Sequence, residues 1–257
     1  MKSPFAATLL GLLAATGATA EPTKPTIVLV HGAFADASSW NGVIEILEKN
    51  DFPVVAVANP LRGVASDARY VSDVVKGLDT PVVLVGHSYG GSVISSSQIA
   101  TDKVTALVYV AAFAPEAGET AAGLSAKFPG STLGAALAAP VSLSGGGKDL
   151  YIQQSRFHDQ FAADVSIGEA AGMAAGQRPI TEAALNEAAS APTWKSVPSW
   201  FIYGDQDKNI PPQALAFMAE RAKARKTEVI RGASHVVMVS NPEQVAKMIE
   251  LAAGGLR

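Results

Sequence analysis

Residues 81–91 read Pro-Val-Val-Leu-Val-Gly-His-Ser-Tyr-Gly-Gly, an apolar run followed by a glycine-rich turn and a helix-like segment. This pattern predicts a nucleophile elbow, in which a buried strand turns sharply into a helix. Gly86 and Gly90 avoid clashes around the strained residue at the apex, which is Ser88. The turn would raise the Ser88 hydroxyl above the sheet at a helix N-terminus, where unpaired N–H groups favour a developing negative charge. Such a site suits acyl transfer.

A glycine-rich turn with a solvent-facing serine would show the same short pattern, which arises by chance in many unrelated chains. A catalytic serine needs more than the turn. It needs an acid and, later in the chain, a histidine, each in a loop that follows a strand. The rest of the sequence therefore decides between the two interpretations.

The region after the elbow contains candidates for both partners. Residues 198–203 have the pattern of a buried strand, and the loop after it, residues 204–211, contains two aspartates. Asp207 is the preferred acid, whereas Asp205 is expected to stabilise the loop through backbone hydrogen bonds. His235 follows the last predicted strand, where it can act as the base; the alternative is a histidine in a surface loop.

A second glycine-containing loop, residues 31–34 (His-Gly-Ala-Phe), follows the first predicted strand. A serine hydrolase needs two backbone N–H groups that face the substrate carbonyl oxygen. The N–H groups of Ala33 and Tyr89 are the candidates for this oxyanion hole. The alternative is an ordinary loop whose histidine packs against the next segment.

The remaining pattern alternates buried strands with amphipathic helices. β-branched runs without polar alternation are typical of strands that are buried on both faces of a parallel sheet. The sequence therefore predicts an α/β fold with a doubly wound, mostly parallel sheet. Strands are predicted at residues 26–30, 53–57, 81–85, 104–110, 198–203 and 227–230, and helices at residues 39–50, 66–78, 88–100 and 212–224.

From about residue 115 to 194 the alternation breaks into a stretch rich in alanine and glycine without a strong strand. We predict a helical lid, inserted after the fourth predicted strand, that covers the strand ends and shapes the pocket. A partly disordered insert is the alternative, above all near residues 142–147.

Aromatic side chains in this lid are candidates for the pocket. Phe157, His158 and Phe161 could line it together with Phe34, although a lone histidine in a lid helix more often makes structural hydrogen bonds. Three further polar residues are expected mainly to position the lid: Asp164, Gln177 and Arg178.

The N-terminal residues 1–20 have the pattern of a signal peptide: an early lysine, an apolar run and a final Ala-Thr-Ala. This predicts export to the periplasm or the extracellular medium, with one mature domain over residues 21–257. A membrane anchor is the alternative, but the apolar run is far shorter than the roughly 20 residues that span a bilayer. No later run has the length and apolarity of a membrane span.

The net charge of −3 and the pI near 5.8 provide no basic field for phosphate backbones, so nucleic-acid binding is disfavoured. The absence of cysteine excludes disulfides, thiolate metal sites and a cysteine nucleophile. Oligomeric state is left open by the sequence.

Together, the 31–34 loop, the elbow, the 204–211 loop and Ser234-His235 resemble the α/β-hydrolase superfamily. Within it, the chain is similar to the small group of bacterial carboxylesterases, plant methylesterases and hydroxynitrile lyases. The lyases typically have threonine where this chain has Gly32, and lysine where it has Val236, so both departures favour an esterase.

This resemblance implies a Ser-His-Asp acyl-enzyme mechanism on a small-molecule ester, with no metal and no organic cofactor. A lyase, an amidase or a perhydrolase on the same triad is the alternative, as is a catalytically silent binding member.

Overall fold

Six parallel strands form the central sheet in the computed structural model, which describes residues 24–254. In chain order the elements are β1 (Thr26–Val30), a 3-10 helix (Ala37–Trp40), α1 (Asn41–Lys49), β2 (Val54–Val57), α2 (Val64–Lys76), β3 (Val82–His87), α3 (Tyr89–Ser95), β4 (Val104–Val110), α4 (Ala121–Ala126), α5 (Leu133–Ala136), β5 (Val141–Ser142), β6 (Lys148–Leu150), α6 (Gln154–Phe161), α7 (Ile167–Gly176), β7 (Ile180–Thr181), α8 (Glu182–Asn186), a second 3-10 helix (Thr193–Lys195), β8 (Ser199–Gly204), α9 (Pro212–Arg221), β9 (Lys226–Ile230), α10 (Val237–Ser240) and α11 (Pro242–Gly254).

The strand order is β2-β1-β3-β4-β8-β9, and each neighbouring pair is parallel. β1, β3 and β8 are buried along their whole length, as expected for strands covered by helices on both faces. The predicted doubly wound α/β class is therefore confirmed. Because parallel strands end at the same edge of a sheet, the loops after β1, β3, β8 and β9 converge there.

Several helix boundaries differ from the predictions, and two of the differences involve distant residues. α3 ends at Ser95, not near residue 100, because Ser96 is extended and the Ser97 N–H donates to the hydroxyl of Ser190 (3.0 Å). α2 begins before the predicted Ser66, because the Glu187 carboxylate accepts the first N–H groups of the helix at 2.7 and 3.0 Å. Neither partner is visible in the local pattern.

The insert is defined here as residues 111–198, between β4 and β8. It contains helices α4 to α8 and also a three-stranded antiparallel sheet in the order β5-β6-β7 that the sequence did not indicate, and the helical lid stays a prediction. Two of these strands have only two residues each, too short for a detectable alternation. Gly146 and Gly147 have positive φ in the turn between β5 and β6, within the stretch for which disorder was the alternative.

No helix among residues 24–254 is long and apolar enough to cross a membrane. The predicted signal peptide, residues 1–20, lies outside the described residues.

Candidate active site

Ser88 occupies a strained turn between β3 and α3. Its backbone has φ 53° and ψ −122°, a conformation that non-glycine residues rarely adopt, and the residue is 7% exposed. Close packing holds the strain: a Cβ at Gly90 would lie 2.3 Å from the Val30 carbonyl oxygen, and one at Gly86 would lie 2.7 Å from the Gly90 backbone. Only glycine fits at both positions without displacing the backbone, which is the pattern of a nucleophile elbow.

The candidate base and acid lie in contact at the same edge of the sheet. His235 Nδ1 is 2.6 Å from Asp207 Oδ2, and both side chains are almost completely buried. The other oxygen of Asp207 accepts the backbone N–H groups of Asn209 (2.8 Å) and Ile210 (3.0 Å). Because an ionised carboxylate only accepts, His235 donates through Nδ1, which leaves Nε2 as its basic nitrogen.

His235 Nε2 is buried and has no hydrogen-bond partner within residues 24–254. Ser88 and His235 line the same cavity. No hydrogen bond joins the Ser88 hydroxyl to the imidazole in the described part of the chain. In free hydrolases such contacts are often long and tighten when the substrate binds.

Asp205 lies in the same loop as Asp207 but makes different contacts. Its carboxylate accepts the N–H of Gly232 (2.7 Å) and the side-chain amide of Gln206 (3.2 Å), which ties this loop to the one that bears His235. The structure thus brings Asp207, and not Asp205, to the histidine.

The two candidate oxyanion donors lie on adjacent loops. Within the described residues, the N–H groups of Ala33 and Tyr89 donate to no protein acceptor. A Cβ at Gly32 would be 2.6 Å from the Ser88 Cβ and 3.0 Å from the Tyr89 nitrogen, so the two loops are packed without room for a side chain. Both N–H groups are therefore next to the serine and available to an oxyanion.

His31 orients one of these donors, a role that the sequence did not indicate. Its Nε2 accepts the N–H of Asn59 (3.1 Å), so its Nδ1 carries the proton and donates to the Gly32 carbonyl oxygen (2.9 Å). Burial lowers the pKa of His31 to about 4 and keeps the ring neutral. Since Gly32 C=O and Ala33 N–H belong to one planar peptide, the ring fixes the direction of that N–H.

Asp67, a buried residue of α2, forms a hydrogen bond with Tyr89, the residue that follows Ser88. The Tyr89 hydroxyl donates to Asp67 Oδ2 (3.0 Å), and the N–H of Arg62 donates to the same carboxylate. Burial raises the pKa of Asp67, which is fully covered by its neighbours. One feature of the sequence is consistent with this burial. Asp67 lies four residues before Val71, and therefore on the apolar face of α2.

A cavity of about 490 Å³ opens onto Ser88. Among residues 24–254, no aspartate, glutamate, lysine or arginine lines its wall, and the polar side chains there include Ser88, Ser125, Ser131, Asn209 and His235. The apolar and backbone lining comes chiefly from Ala33, Phe34, Tyr89, Phe113, Ala121, Ala122, Ala126, Phe128, Pro129, Leu133, Leu137, Phe161, Leu185 and Ile210.

Two of the four predicted pocket residues line this cavity, Phe34 and Phe161, and the other two are corrected. Phe157 packs behind Phe161, with ring centroids 4.9 Å apart. His158 lies one residue further around α6 and bonds the Val165 carbonyl oxygen (3.0 Å), which is the structural role expected of a lone lid histidine.

A second cavity, of about 320 Å³, also has Phe34 in its wall.

Two of the three polar residues expected to position the lid, Arg178 and Asp164, form hydrogen bonds with loops of the candidate site. The carbonyl oxygen of Arg178 accepts the N–H of Phe34 (2.9 Å), and Asp164 accepts the Ser234 hydroxyl. Gln177 instead bonds only to backbone groups of the insert, at Ile152 and Ala174.

A parallel sheet with a strained serine at the end of an inner strand, beside a buried aspartate–histidine pair, defines the α/β-hydrolase class. The chain belongs to the alpha/beta hydrolase family, whose family model matches residues 27–248. This confirms the family resemblance and the fold predicted from the sequence.

Relatives of known identity agree with that assignment. The chain is 26% identical over 253 residues to the alpha/beta hydrolase nvfD of Aspergillus novofumigatus, covering 90% of this chain and 97% of that protein. It is 28% identical over 255 residues to putative methylesterase 11, chloroplastic, of Arabidopsis thaliana, covering 86% of this chain and 62% of that protein. The crystal structure of polyneuridine aldehyde esterase has the same fold, with a TM-score of 0.76, 21% identity, and coverage of 89% of this chain and 98% of that one. Membership in a family with esterase relatives supports hydrolase or esterase activity.

Proposed function

We propose that the protein is a serine carboxylic-ester hydrolase that works through an acyl-enzyme on Ser88. One observation carries the proposal: a 2.6 Å contact between Asp207 and His235, buried at the cavity that also contains the strained Ser88. His235 leaves Nε2 without a partner among the described residues and lines the same cavity as Ser88.

In the proposed reaction, Ser88 Oγ attacks the ester carbonyl carbon while His235 Nε2 takes the hydroxyl proton. The carboxylate of Asp207 stabilises the imidazolium through Nδ1. The N–H groups of Ala33 and Tyr89 bind the oxygen that becomes negative in the tetrahedral intermediate. Collapse of the intermediate breaks the bond to the alkoxy oxygen, which leaves as alcohol with the proton from His235.

Water completes the cycle. His235 Nε2 takes a proton from the water molecule as its oxygen attacks the acyl carbon, and the same two N–H groups bind the second oxyanion. The acyl–oxygen bond to Ser88 then breaks, the proton returns to the serine oxygen, and the carboxylic acid is released.

The cavity wall favours a neutral ester with apolar acyl or alcohol parts. The Ser125 and Ser131 hydroxyls both donate to the Asn209 carbonyl oxygen (2.8 and 2.9 Å), so these donors are already used. Away from the reacting bond, the Asn209 side-chain amide nitrogen is the wall donor that lacks a partner among the described residues, and burial of a charged group there would be costly. A volume of about 490 Å³ is in the range of pockets that enclose small organic ligands.

Two positions weigh against the hydroxynitrile-lyase alternative. The threonine typical of the lyases would need a Cβ at Gly32, 2.6 Å from the Ser88 Cβ. Val236, where they have lysine, is completely buried beside the base. A lysine there would place a charge in an apolar environment, which is costly without a partner.

From the signal-peptide pattern of residues 1–20, we further propose that the mature protein acts in the periplasm or the extracellular medium. N-terminal sequencing of the exported protein tests this. A mature start near Glu21 supports export, and a retained N-terminus in the cytoplasmic fraction contradicts it.

The esterase proposal is tested with p-nitrophenyl esters from acetate to long acyl chains, using the mature protein beside Ser88→Ala. We expect turnover that the alanine variant loses. Mass spectrometry after treatment with an alkyl phosphonate should locate one adduct on Ser88. Labelling of Ser88 without turnover of any ester would reject ester hydrolysis and favour a lyase; absence of labelling would reject the nucleophile itself.

A further inference from the structure

The loop that bears Asp207 is hydrogen-bonded to the insert at several points, and Gln160 of α6 makes two of these bonds. Gln160 is 6% exposed, and its Nε2 donates to the carbonyl oxygen of Lys208 (2.9 Å) and to Asn209 Oδ1 (2.8 Å). Its Oε1 accepts the Thr132 hydroxyl (2.7 Å). The Thr132 N–H also donates to Lys208 O (3.0 Å).

The orientation of this buried amide is determined by its partners. A backbone carbonyl oxygen only accepts hydrogen bonds, so the nitrogen of Gln160 must face Lys208. The oxygen must then face Thr132. Each end of the amide therefore has a partner, and the side chain has one hydrogen-bonded orientation.

A continuous series of hydrogen bonds leads from this amide to the base. Gln160 holds the side chain of Asn209, the Asn209 N–H donates to Asp207 Oδ1, and Asp207 Oδ2 accepts the His235 proton. The end of α6 also contacts the base from the other side. The Phe161 ring packs 5.1 Å from the His235 ring, and the Phe161 carbonyl oxygen accepts the Ser234 hydroxyl (3.3 Å).

We propose that Gln160 is a positioning residue: from the insert, it holds the Asp207 loop in the place where the carboxylate meets His235. The inference rests on the proposed esterase function for its kinetic consequence. The geometric consequence, the state of the Asp207–His235 hydrogen bond, can be measured whether or not the protein cleaves esters.

Gln177 provides a matched control. It is also a buried glutamine of the insert, 9% exposed, and its amide also makes three hydrogen bonds: it accepts the N–H of Ile152 (2.9 Å) and donates to the Ile152 and Ala174 carbonyl oxygens (3.0 and 2.9 Å). None of the three reaches the Asp207 loop. Gln160→Leu and Gln177→Leu therefore remove the same chemistry from the same part of the fold.

The test compares both leucine variants with the unmodified protein. For Gln160→Leu we expect kcat on p-nitrophenyl butyrate to fall about 10- to 100-fold with KM within about twofold, because a displaced carboxylate no longer orients the base. For Gln177→Leu we expect kcat and KM each within about threefold. Thermal unfolding should show a similar drop in Tm for both variants.

Proton NMR provides the direct readout. A histidine Nδ1–H bonded to a buried carboxylate gives a far-downfield resonance, assigned here by its loss in Asp207→Asn. We expect Gln160→Leu to shift or lose this resonance and Gln177→Leu to retain it. If Gln160→Leu retains both the resonance and kcat, or if both variants lose kcat equally, Gln160 has only a structural role and the inference is wrong.

If Gln160→Leu does not fold, Thr132→Val provides a second variant for the same test. It removes the hydroxyl partner of Gln160 while preserving shape, and we expect an intermediate loss of kcat with a shifted resonance. An unchanged resonance would overturn the inference. Lack of ester turnover in the unmodified protein would reject the proposed function alone, since the resonance would still report on Gln160.

Discussion

Replacement of Asp207 by asparagine should disable the base by changing its tautomer. The backbone N–H groups of Asn209 and Ile210 both donate to one oxygen of Asp207, at 2.8 and 3.0 Å. In Asp207→Asn the amide oxygen must stay with these donors, so the NH₂ group turns to His235. That group donates, so Nδ1 must become an acceptor and the imidazole proton moves to Nε2. The nitrogen that should take the Ser88 proton is then already protonated.

A wrong tautomer of this kind costs about 10⁴-fold in kcat in the best-studied serine proteases, which corresponds to about 5.4 kcal/mol of transition-state stabilisation. We expect a fall of about 10³- to 10⁴-fold here, with KM nearly unchanged because the cavity wall is preserved. Steady-state hydrolysis of a p-nitrophenyl ester measures both constants, and ¹⁵N shifts of the histidine ring report the tautomer.

Asp205→Asn is the control, since it removes the same charge from the same loop. Asp205 accepts the Gly232 N–H at 2.7 Å, and within the described residues the hydrogen bond of His235 Nδ1 goes to Asp207. We expect kcat within about threefold and a lower Tm. Retention of more than a tenth of the activity by Asp207→Asn, or an equal loss in Asp205→Asn, would refute the assignment of the acid.

Three further predictions concern the oxyanion loop and the cavity. Gly32→Thr should lower kcat/KM on p-nitrophenyl acetate at least about 100-fold, because a Cβ 2.6 Å from the Ser88 Cβ displaces a donor N–H; an active variant with an unchanged circular dichroism spectrum would contradict this. Because the pKa of His31 falls from its ordinary 6.5 to about 4 on folding, stability is lost as pH falls through this window, by about 2 kcal/mol between pH 7 and pH 5. Urea unfolding at the two pH values should show a loss smaller by about that amount in His31→Gln, and an equal loss would reject the assignment. Phe34→Ala should raise the ratio of kcat/KM for long over short acyl esters, because Phe34 belongs to the walls of both cavities; an unchanged ratio would mean that the cavities stay separate.

Local patterns were sufficient for the sheet and for the candidate triad. β1 and β4 have the predicted bounds, because β-branched runs buried on both faces differ clearly from their surroundings. Ser88 was assigned from the glycines at fixed offsets around it together with the later aspartate and histidine, because the short pattern alone also fits a solvent-facing serine. Asp207 was distinguished from Asp205 by its place in the loop, and the contacts of the two aspartates agree with that choice.

What the sequence did not reveal depends on contacts between distant residues. Glu187 caps a helix that begins 123 positions earlier in the chain, so no local cap signal exists there. Asn59 and His31 are 28 positions apart, and only their contact explains how the Ala33 N–H is oriented. The local sequence around Gln160 does not indicate its role, because the Asp207 loop that it contacts lies 48 positions away in the chain.

Residues of the insert that bond the catalytic loops and residues that line the cavity should respond differently to substitution. Three catalytic loops are bonded to residues 157–178: the oxyanion loop through Arg178 O, the acid loop through Gln160, and the histidine loop through Phe161 O and Asp164. Substitutions that break these particular hydrogen bonds should alter kcat for every ester, because they move the reacting groups relative to one another, whereas Gln177, whose bonds stay within the insert, is not one of these contacts. Residues 121–137 supply much of the remaining wall; Ser125, Ser131 and Thr132 also bond the acid loop, and most of the other wall residues are small or apolar. Larger side chains at Ala122 or Ala126 should shorten the acyl chain that the cavity accepts while leaving kcat on acetate nearly unchanged, because both residues line the cavity wall and make no side-chain hydrogen bond that holds a reacting group.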